Sequence, residues 1–356
     1  MKQGILKGGI VGCGGVASII HMPAFRALEG VQIIAVCDKR DDIARETAKR
    51  FGIARVYGDM SQMLEKENLD FVDICSPPHT HCQLSLQAME AGIHVLVEKP
   101  MALSTSEADQ MVAVSRSKGV KLCVVHNLQF TPVVQKAKSL VESGAIGDVV
   151  SVDVIMLAGK DGAISKEGHW CHSLPGGIFG EFAPHALYLA SAFLGKINSA
   201  QAMAIKQSSY SWVTADEWRV ILQAENGLGT LTISCNSPIP THTIDILGTR
   251  KNLHLNNFTM TMIQHSSGTL RILDLIYDDL KSGFQLLRGN ASRLLAAVFG
   301  QRWYGVGHRV LIQKFLESVR DDTEPPVTGE DGRETLRIIE EILVQLNGSK
   351  SIPVQS

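Results

Sequence analysis

Residues 94–100, HVLVEKP, place a lysine where acid or base chemistry could occur. The run His94–Val97 is apolar and rich in valine, which is typical of a strand buried in a parallel sheet. Lys99 follows after Glu98, and Pro100 then fixes the backbone φ angle. Such a lysine is either an ordinary loop residue or a positioned ammonium group that donates to a reacting oxygen. The place of this strand end in the fold decides between the two.

A second group of residues has the spacing of a dinucleotide-binding turn. Between an apolar strand and a helix start, the chain reads G-x-G-x-x-A. The first glycine permits a tight turn, the second lets the backbone approach a pyrophosphate, and the free N–H groups of the helix start bind phosphate oxygens. The predicted phosphate-binding residues are Gly12, Gly14, Gly15, Val16 and Ala17.

The end of the second strand carries the residues expected to select the nucleotide. Asp38 stands where a carboxylate accepts hydrogen bonds from the adenosine ribose, and its charge repels a 2′-phosphate. Lys39 and Arg40 follow directly and offer positive charge to such a phosphate, so NADP remains open. We therefore predict NAD as the cofactor, with a moderate preference over NADP.

The elements that must position these residues alternate along the first third of the chain. Apolar runs predict strands at residues 8–12, 31–37, 70–76, 94–97 and 121–125. Helical patterns predict intervening helices, including 40–50, 80–91 and 104–118. This alternation predicts an α/β fold with a doubly wound parallel sheet, a Rossmann domain, which we assign to residues 1–126. Ligands bind such sheets beyond the carboxyl ends of the strands, so Lys99 is expected on the ligand side.

Three motifs of the first half carry a family resemblance. They are GCGGVA at 12–17, SPPHTH at 76–81 and GIHVLVEKP at 92–100. With them the sequence resembles the Gfo/Idh/MocA family of glucose–fructose oxidoreductases and inositol dehydrogenases. The resemblance spans residues 8–200 and about 308–346. It implies an NAD(P)-dependent oxidoreductase.

The chain departs from the family pattern where substrate is expected to bind. After the predicted strand 121–125 it reads NLQFTP, with Gln129 in place of the family's arginine. The segment GGIFGEFAPHALY has Glu181 and Tyr188 in place of two aspartates. A relative's substrate therefore cannot simply be transferred to this chain.

The resemblance implies that residues 127–356 form a substrate-binding and oligomerisation domain of α/β type, with a large, open, mostly antiparallel sheet. Runs rich in Val, Ile and Thr agree with this and predict strands at 148–157, 218–224, 228–235 and 243–247. Helices within 306–346 are expected to pack back toward the first domain. An apolar sheet face left in water would be an exposed patch, so we predict a homodimer or homotetramer. Residues 265–305 carry no assignment.

The motifs also identify residues expected around the cofactor beyond the phosphate turn. The segment 76–78 is expected to shape the loop under the nicotinamide, and Glu98 to anchor its own turn or meet a cation. His81, at a helix start, is given no catalytic role. The predicted contacts are Ser76, Pro77, Pro78, His81, Glu98, Lys99 and Asn127.

His185 is the expected proton acceptor. A lone histidine in an apolar helical stretch is more often a core residue with its polar atoms satisfied. Glu181 stands four residues earlier, so both side chains share one helix face and the carboxylate can orient the imidazole. The resemblance implies that His185 takes the proton of a substrate hydroxyl. Whether Glu181 orients His185, binds substrate or is itself the acid/base stays open.

The segment GHWCHS, residues 168–173, combines histidines with a cysteine. A zinc site of this kind needs a second ligand cluster, which the sequence lacks, so we predict no metal. By resemblance the segment lies near the substrate, with Trp170 and His172 as pocket walls. The expected substrate contacts are Lys99, Trp170, His172, Glu181 and His185.

Composition excludes several classes of function. A net charge of −2 and a pI of about 6.6 give no general attraction to nucleic acid or to an anionic membrane. No apolar run reaches the length of about 18 residues that a membrane span needs. The seven scattered cysteines are typical of reduced thiols and predict a cytoplasmic protein. The expected partner is a small carbohydrate-like molecule.

The leading prediction is an NAD(P)-dependent dehydrogenase or reductase acting on the CH–OH or ketone carbon of a sugar, cyclitol or related polyol. Two alternatives share the fold, namely a glycoside hydrolase that oxidises its substrate transiently and a catalytically silent NAD-binding regulator. The presence of Lys99 argues against the regulator, whereas the changes at Gln129 and Glu181 argue mildly for it.

Overall fold

The computed structural model describes residues 4–159, 162–266, 271–298 and 305–348. The chain divides into two compact units, Met1–Asn127 with Tyr304–Arg337 and Leu128–Trp303 with Ile338–Ser356. Within the described ranges, none of the helices combines the length and the apolar character that a membrane span requires.

The first unit is built on a six-stranded parallel sheet. Its strands are β1 (Leu6–Val11), β2 (Val31–Cys37), β3 (Arg55–Tyr57), β4 (Phe71–Ile74), β5 (His94–Val97) and β6 (Leu122–Val124). They lie in the order β3-β2-β1-β4-β5-β6, so the order reverses between β1 and β4. Ile10, Val72 and Leu96 are fully buried, as expected in a parallel sheet covered on both faces. The predicted doubly wound α/β sheet is confirmed, and the short β3 is added to it.

Helices connect the parallel strands. A π-helical stretch, Ala17–His21, follows β1 and leads into the first of five α-helices: α1 (Met22–Arg26), α2 (Asp41–Phe51), α3 (Met60–Lys66), α4 (His81–Glu90) and α5 (Thr105–Lys118). A 3₁₀ turn at Pro78–Thr80 precedes α4. The hydroxyl of Ser104 accepts the N–H of Glu107 at 3.2 Å and caps α5. This local cap explains why α5 begins where the sequence predicted.

The second unit is built on a seven-stranded sheet. Its strands are β7 (Val149–Gly159), β8 (Ile197–Ile205), β9 (Glu217–Ala224), β10 (Gly227–Ser237), β11 (Thr241–Gly248), β12 (Lys251–Asn256) and β13 (Thr261–Ser266). They lie in the order β13-β12-β11-β7-β10-β9-β8. Only β7 and β10 pair in parallel among the described strands of this sheet. The prediction of a mostly antiparallel sheet is therefore confirmed, although β8, β12 and β13 were not predicted.

Three α-helices accompany this sheet: α6 (Pro132–Glu142), α7 (Ile178–Leu194) and α8 (Ile272–Val298). Helix α7 packs on β7 and β10, and the ring of Phe179 lies 5.6 Å from that of Trp218. Helix α8 lies against the edge strand β13, within the stretch 265–305 for which no element was predicted. Short 3₁₀ turns cover Asn127–Phe130, Ala163–Ser165 and Trp170–Ser173.

The C-terminal part forms α9 (Val306–Asp321) and α10 (Gly329–Gly348). Helix α9 belongs to the first unit, where Phe315 packs edge-on against Phe71 with ring centroids 5.8 Å apart. Arg320 also donates to the carbonyl oxygen of Gly30 at 2.6 Å. The division between the units falls within α10, after Arg337.

Candidate active site

The turn after β1 has the geometry that a pyrophosphate requires. Gly12 has φ +90°, and a Cβ atom there would lie 2.5 Å from the backbone nitrogen of Ser76. Added Cβ atoms at Gly14 and Gly15 would meet no atom within 4 Å. The backbone thus turns tightly at Gly12 and stays open where the helix begins, so the residues present fit a dinucleotide phosphate.

A cleft of about 300 Å³ adjoins this turn, and Gly14, Gly15, Arg40 and Arg50 are among its lining residues. The carboxylate of Asp38 accepts the N–H of Cys13 at 2.8 Å and the N–H of Arg40 at 2.9 Å. Asp38 therefore fixes the phosphate turn as well as standing at the predicted ribose position. Arg40 lines the cleft, where it can meet a 2′-phosphate, and Lys39 is exposed.

Lys99 follows the carboxyl end of β5, next to the point where the strand order reverses. Val97 pairs with Ile74 at the end of β4, so the loops after both strands begin at the same level. Lys99 is half-buried, and its backbone N–H donates to Glu98 Oε2 at 3.0 Å. The peptide bond between Lys99 and Pro100 is cis. The ammonium group is thus carried by a backbone that the Glu98 carboxylate holds.

Glu98 belongs to a buried group of ionisable side chains beneath this loop, which we call the His21 cluster: His21, Asp73, Glu98 and His308. His21 Nδ1 donates to Asp73 Oδ2 at 2.8 Å, and His21 Nε2 donates to Glu98 Oε1 at 2.9 Å. His308 Nε2 lies 3.8 Å from the same Glu98 oxygen. His21 and Asp73 are fully buried, and Glu98 is 7% exposed.

The electrostatics of the His21 cluster favour an imidazolium between two carboxylates. Burial opposes a charged imidazole, but the charge and hydrogen bond of Asp73, together with the interaction with Cys75, raise the pKa of His21 well above its usual value. Burial likewise opposes an ionised Glu98, yet the hydrogen bond and charge of His21 lower the pKa of Glu98 to about 2. Burial lowers the pKa of His308 to about 4, so His308 is neutral. At neutral pH, Glu98 is therefore a carboxylate beside Lys99.

His21 also belongs to both groups of side chains with metal-ligand spacing that the described ranges contain, namely His21, Glu98 and His308, and His21, Asp73 and Cys75. Its two contacts with the carboxylates have the lengths of charge-assisted N–H···O bonds. Hydrogen bonding thus accounts for the arrangement of these side chains.

Sequence reasoning missed His21 and His308. His21 is separated from Asp73 by 52 positions and from Glu98 by 77, so no motif spacing links them. One signal was present in the sequence. Asp73 interrupts the apolar run FVDI, and an acid inside a buried strand requires a charged or hydrogen-bonding partner.

The imidazole of His81 contacts the backbone of the loop that begins at Ser76. Its imidazole is fully buried, with Nδ1 2.8 Å from the Pro100 carbonyl oxygen and Nε2 2.8 Å from the Ser76 carbonyl oxygen. Burial lowers the pKa of His81, and a neutral imidazole donates to only one of these two oxygens. The two ring nitrogens face carbonyl oxygens on the loop after β4 and the loop after β5. The cofactor contact of His81 stays a prediction.

The other predicted cofactor residues lie on the loops that follow β4 and β6. Pro77 is exposed after β4, whereas Ser76 is half-buried and its hydroxyl lies 2.6 Å from that of Thr80. Pro78 is buried at the start of the 3₁₀ turn, and Asn127 is 9% exposed after β6. Among these, Pro77 and Ser76 offer surface to a bound molecule.

In the second unit, helix α7 carries His185 and Glu181 one turn apart. His185 Nδ1 lies 2.6 Å from the hydroxyl of Tyr188, which also accepts the N–H of Leu128 at 3.2 Å. Tyr188 is 1% exposed. Tyr188 stands where the family has an aspartate. Its hydroxyl is a hydrogen-bonding partner of the His185 imidazole, which is one of the roles considered for Glu181.

The two predicted pocket-wall residues lie in the 3₁₀ turn Trp170–Ser173. Trp170 is 42% exposed, and its ring centroid lies 5.4 Å from that of His169. His172 is half-buried with Nε2 3.3 Å from the Ala163 carbonyl oxygen. Trp170 thus presents an aromatic face to solvent, whereas His172 is held by the neighbouring turn.

Comparison with known proteins places this geometry in a family. Residues 6–126 match the Gfo/Idh/MocA oxidoreductase family with its NAD-binding Rossmann fold, and residues 134–254 match the C-terminal domain of that family. The chain belongs to the Gfo/Idh/MocA family. The predicted NAD-binding domain and the class of oxidoreductase are confirmed for this Gfo/Idh/MocA protein.

Individual relatives agree with the family. The chain is 32% identical to an oxidoreductase of Formosa agariphila over 57% of this chain and 65% of that protein, just under two thirds of its length. It is 26% identical to the D-apiose dehydrogenase of Paraburkholderia graminis over 98% of this chain and 90% of that enzyme. An oxidoreductase from Agrobacterium radiobacter, solved with NAD+, L-tartaric acid and magnesium, superposes with a TM-score of 0.80 at 21% identity and covers 97% of each chain. This structure shows a shared fold.

Proposed function

We propose that this Gfo/Idh/MocA protein oxidises a CH–OH group of a sugar, cyclitol or related polyol with NAD, or reduces the corresponding ketone. The observation that carries the proposal is Lys99, held by Glu98 at the carboxyl end of β5 in the same unit as the dinucleotide turn. Bound NAD supplies the acceptor or donor of hydride. The protein supplies binding, orientation and proton transfer.

Lys99 and His185 have complementary roles in this proposal. The Lys99 ammonium donates a hydrogen bond to the reacting oxygen and stabilises the negative charge that develops as its proton leaves. His185 accepts that proton. To do so through Nε2, the imidazole must carry its own proton on Nδ1 and donate it to the Tyr188 oxygen 2.6 Å away. The Tyr188 hydroxyl can accept that proton, which is compatible with the tautomer that acts as a base.

The relatives support net oxidoreduction over the two alternatives. The relative that matches 98% of this chain is named as a dehydrogenase of the sugar D-apiose. The relatives from Formosa agariphila and Agrobacterium radiobacter are named as oxidoreductases. A sugar-like substrate also suits the exposed ring of Trp170, because aromatic faces pack well on the C–H surface of a carbohydrate. We leave the individual sugar to experiment.

The test is a panel of sugars, nucleotide sugars and polyols, followed by the absorbance of reduced cofactor with NAD and with NADP. Net reduced cofactor from a polyol supports the proposal. Release of free sugar without net reduced cofactor would instead establish the hydrolase, and binding of NAD without turnover of any panel member would favour the regulator.

The Lys99→Met variant tests the proposed role of the ammonium. It should bind NAD nearly as the parent does and lose about 10²–10⁴ in turnover, because a positioned donor is removed. Lys118→Met, at an exposed position of α5, is the matched control and should keep turnover within about threefold. If Lys99→Met also stayed within about threefold, Lys99 would be an ordinary loop lysine.

We also propose a homodimer or homotetramer built through the open face of the seven-stranded sheet. Met203, Ile221 and Leu228 are 69%, 55% and 57% exposed on β8, β9 and β10. The three side chains are diagonal neighbours on one face of the sheet, with polar residues directly opposite them. Exposed apolar side chains on a sheet face favour coverage by a second subunit. A mass of 38.7 kDa in light scattering, independent of concentration, would contradict this.

We assign the protein to the cytoplasm. All seven cysteines are free thiols, and five of them are buried as small apolar residues. Free thiols of this kind are typical of a reducing compartment. Fractionation of the native host, with the protein detected by antibody, tests the assignment.

A further inference from the structure

Helix α8 exposes a continuous apolar stripe. Its leucines recur every seven residues, and a second apolar column follows four residues after each leucine. We call these eight residues the α8 stripe: Leu273, Tyr277, Leu280, Phe284, Leu287, Ala291, Leu294 and Val298. Apart from Ala291, their side chains are 66–74% exposed.

The opposite, polar side of α8 faces the protein. Gln285 exchanges two hydrogen bonds with the backbone of Gln264 in β13, at 3.0 and 3.2 Å. Asp278 Oδ2 lies 2.6 Å from His265 Nδ1 on the same strand. A surface helix normally buries its apolar side and exposes its polar side, and α8 does the reverse. The orientation of the helix therefore requires a partner for the stripe.

We propose that the α8 stripe is the contact surface for α8 of a second copy of this chain, with the two helices packed antiparallel about a twofold axis. A strict seven-residue repeat keeps the same side chains in the seam between two helices, whereas a helix that packs on a flat surface has no need of it. A twofold contact uses the same patch on both copies, so one stripe is sufficient.

The charges of α8 favour the antiparallel arrangement. Asp278, Lys281 and Arg293 face the protein, whereas the exposed charges are Asp279 in the first half of the helix and Arg288 in the second. In an antiparallel pair the half of each helix that carries Asp279 lies beside the half of the other copy that carries Arg288. A parallel pair would place like charges together.

The size of the stripe fits a reversible contact. A helix of this length is about 40 Å long, and a side about 10 Å wide has an outline of about 400 Å². Contiguous apolar patches of this size commonly mark interaction sites. Two copies together cover about 800 Å², below the range of the most stable complexes, so the contact should associate and dissociate with concentration.

A lipid surface is the competing occupant. Helices that lie on anionic membranes present lysine and arginine on their polar face. The charges of α8 sum to zero, and part of its polar face is bonded to β13. These observations favour a protein partner over lipid.

The experiment compares the full chain with its Leu280→Glu/Leu287→Glu variant by sedimentation velocity over a wide range of concentration. Both leucines are exposed, so the chain should still fold, and unchanged NAD binding and far-UV circular dichroism verify this. The variant should dissociate to a species of half the parent's mass, with a dissociation constant about 100-fold higher or more, because two carboxylates enter an apolar seam. Ile239→Glu, at a residue 69% exposed outside α8, is the matched control and should sediment as the parent does.

Three outcomes would overturn the proposal. The first is an equal mass for the parent and the double variant at every concentration. The second is a parent that stays monomeric throughout. The third is co-sedimentation of the parent with vesicles of phosphatidylcholine and phosphatidylserine that the double variant loses and the control keeps, which would assign the stripe to lipid.

Discussion

Replacing His21 by glutamine should destabilise the first unit severely. The imidazolium lies between the Asp73 and Glu98 carboxylates at 2.8 and 2.9 Å, and all three groups are buried. Glutamine keeps a hydrogen-bonding group but removes the positive charge, so two carboxylates are left together in the interior. Removing one partner of a buried ion pair costs about 3–5 kcal/mol.

Thermal unfolding of the purified protein without NAD measures this loss. For a unit of this size, 1 kcal/mol corresponds to roughly 2–4 °C in Tm, so a fall of roughly 6–20 °C is expected. His79→Gln, at an exposed position, is the matched control and should change the free energy of unfolding by less than about 0.5 kcal/mol. The variant should also regain stability as the pH falls, because a carboxylate left without its cation takes up a proton in the folded state.

A second substitution separates charge from shape. The His21→Gln/Asp73→Asn variant returns the cluster to a single negative charge and should recover most of the lost Tm. Its coupling energy, taken from the double-mutant cycle, reports the interaction between the two positions. If His21→Gln melted within about 2 °C of the parent, or if Asp73→Asn deepened the loss, the imidazolium between two carboxylates would be refuted.

Three further changes have defined outcomes. Asp38→Ser should weaken NAD binding about tenfold relative to NADP, measured by titration of both cofactors; an equal effect on the two would show that Asp38 only holds the turn. Tyr188→Phe should lower kcat about tenfold with little change in KM, because His185 loses the partner of Nδ1; an unchanged kcat would contradict the proposed tautomer. Burial lowers the pKa of His308 and of His242 from the unfolded value of 6.5 to about 4. Both rings stay neutral in the fold while the unfolded chain binds protons, so the free energy of unfolding should fall as the pH drops from about 6.5 to about 4, by up to roughly 3 kcal/mol per histidine. Urea unfolding across this range checks it, and a flat profile would contradict the burial of neutral rings.

Most strands of the first unit were predictable because consecutive apolar residues mark a buried strand. Strands Val31–Cys37 and His94–Val97 contain the unbroken apolar runs 33–37 and 95–97, and the structure gives both strands the predicted bounds. Strand β8, INSAQAMAI, is rich in alanine and has β-branched residues only at its two ends, Ile197 and Ile205. Strand β3 has only three residues, too few to show a period.

The candidate site divides in the same way. The phosphate turn and Lys99 follow from motifs because each function depends on neighbours in sequence. The contacts of His21 and of His308 depend on chain topology, which brings the ends of β4 and β5 together with two distant helices. Tyr188 was noticed as a departure from a pattern, but its contact with His185 emerges only once both lie on one helix.

The position of Lys99 explains why the buried His21 cluster carries charges. Well-packed apolar side chains of similar volume often stabilise a core as well as a buried ion pair does, so stability alone gives no reason for two buried carboxylates and an imidazolium. Glu98 has a second task, since its other oxygen accepts the backbone N–H of Lys99 at 3.0 Å. An ionised carboxylate of fixed orientation strengthens that contact, and His21 provides it by holding Oε1 and by lowering the pKa of Glu98 to about 2. In the proposed mechanism the Lys99 ammonium must be placed to within a fraction of an ångström, which demands a rigid support. The charged cluster is therefore best explained by the position of Lys99, and the loss of turnover in His21→Gln should exceed what the loss of folded protein accounts for.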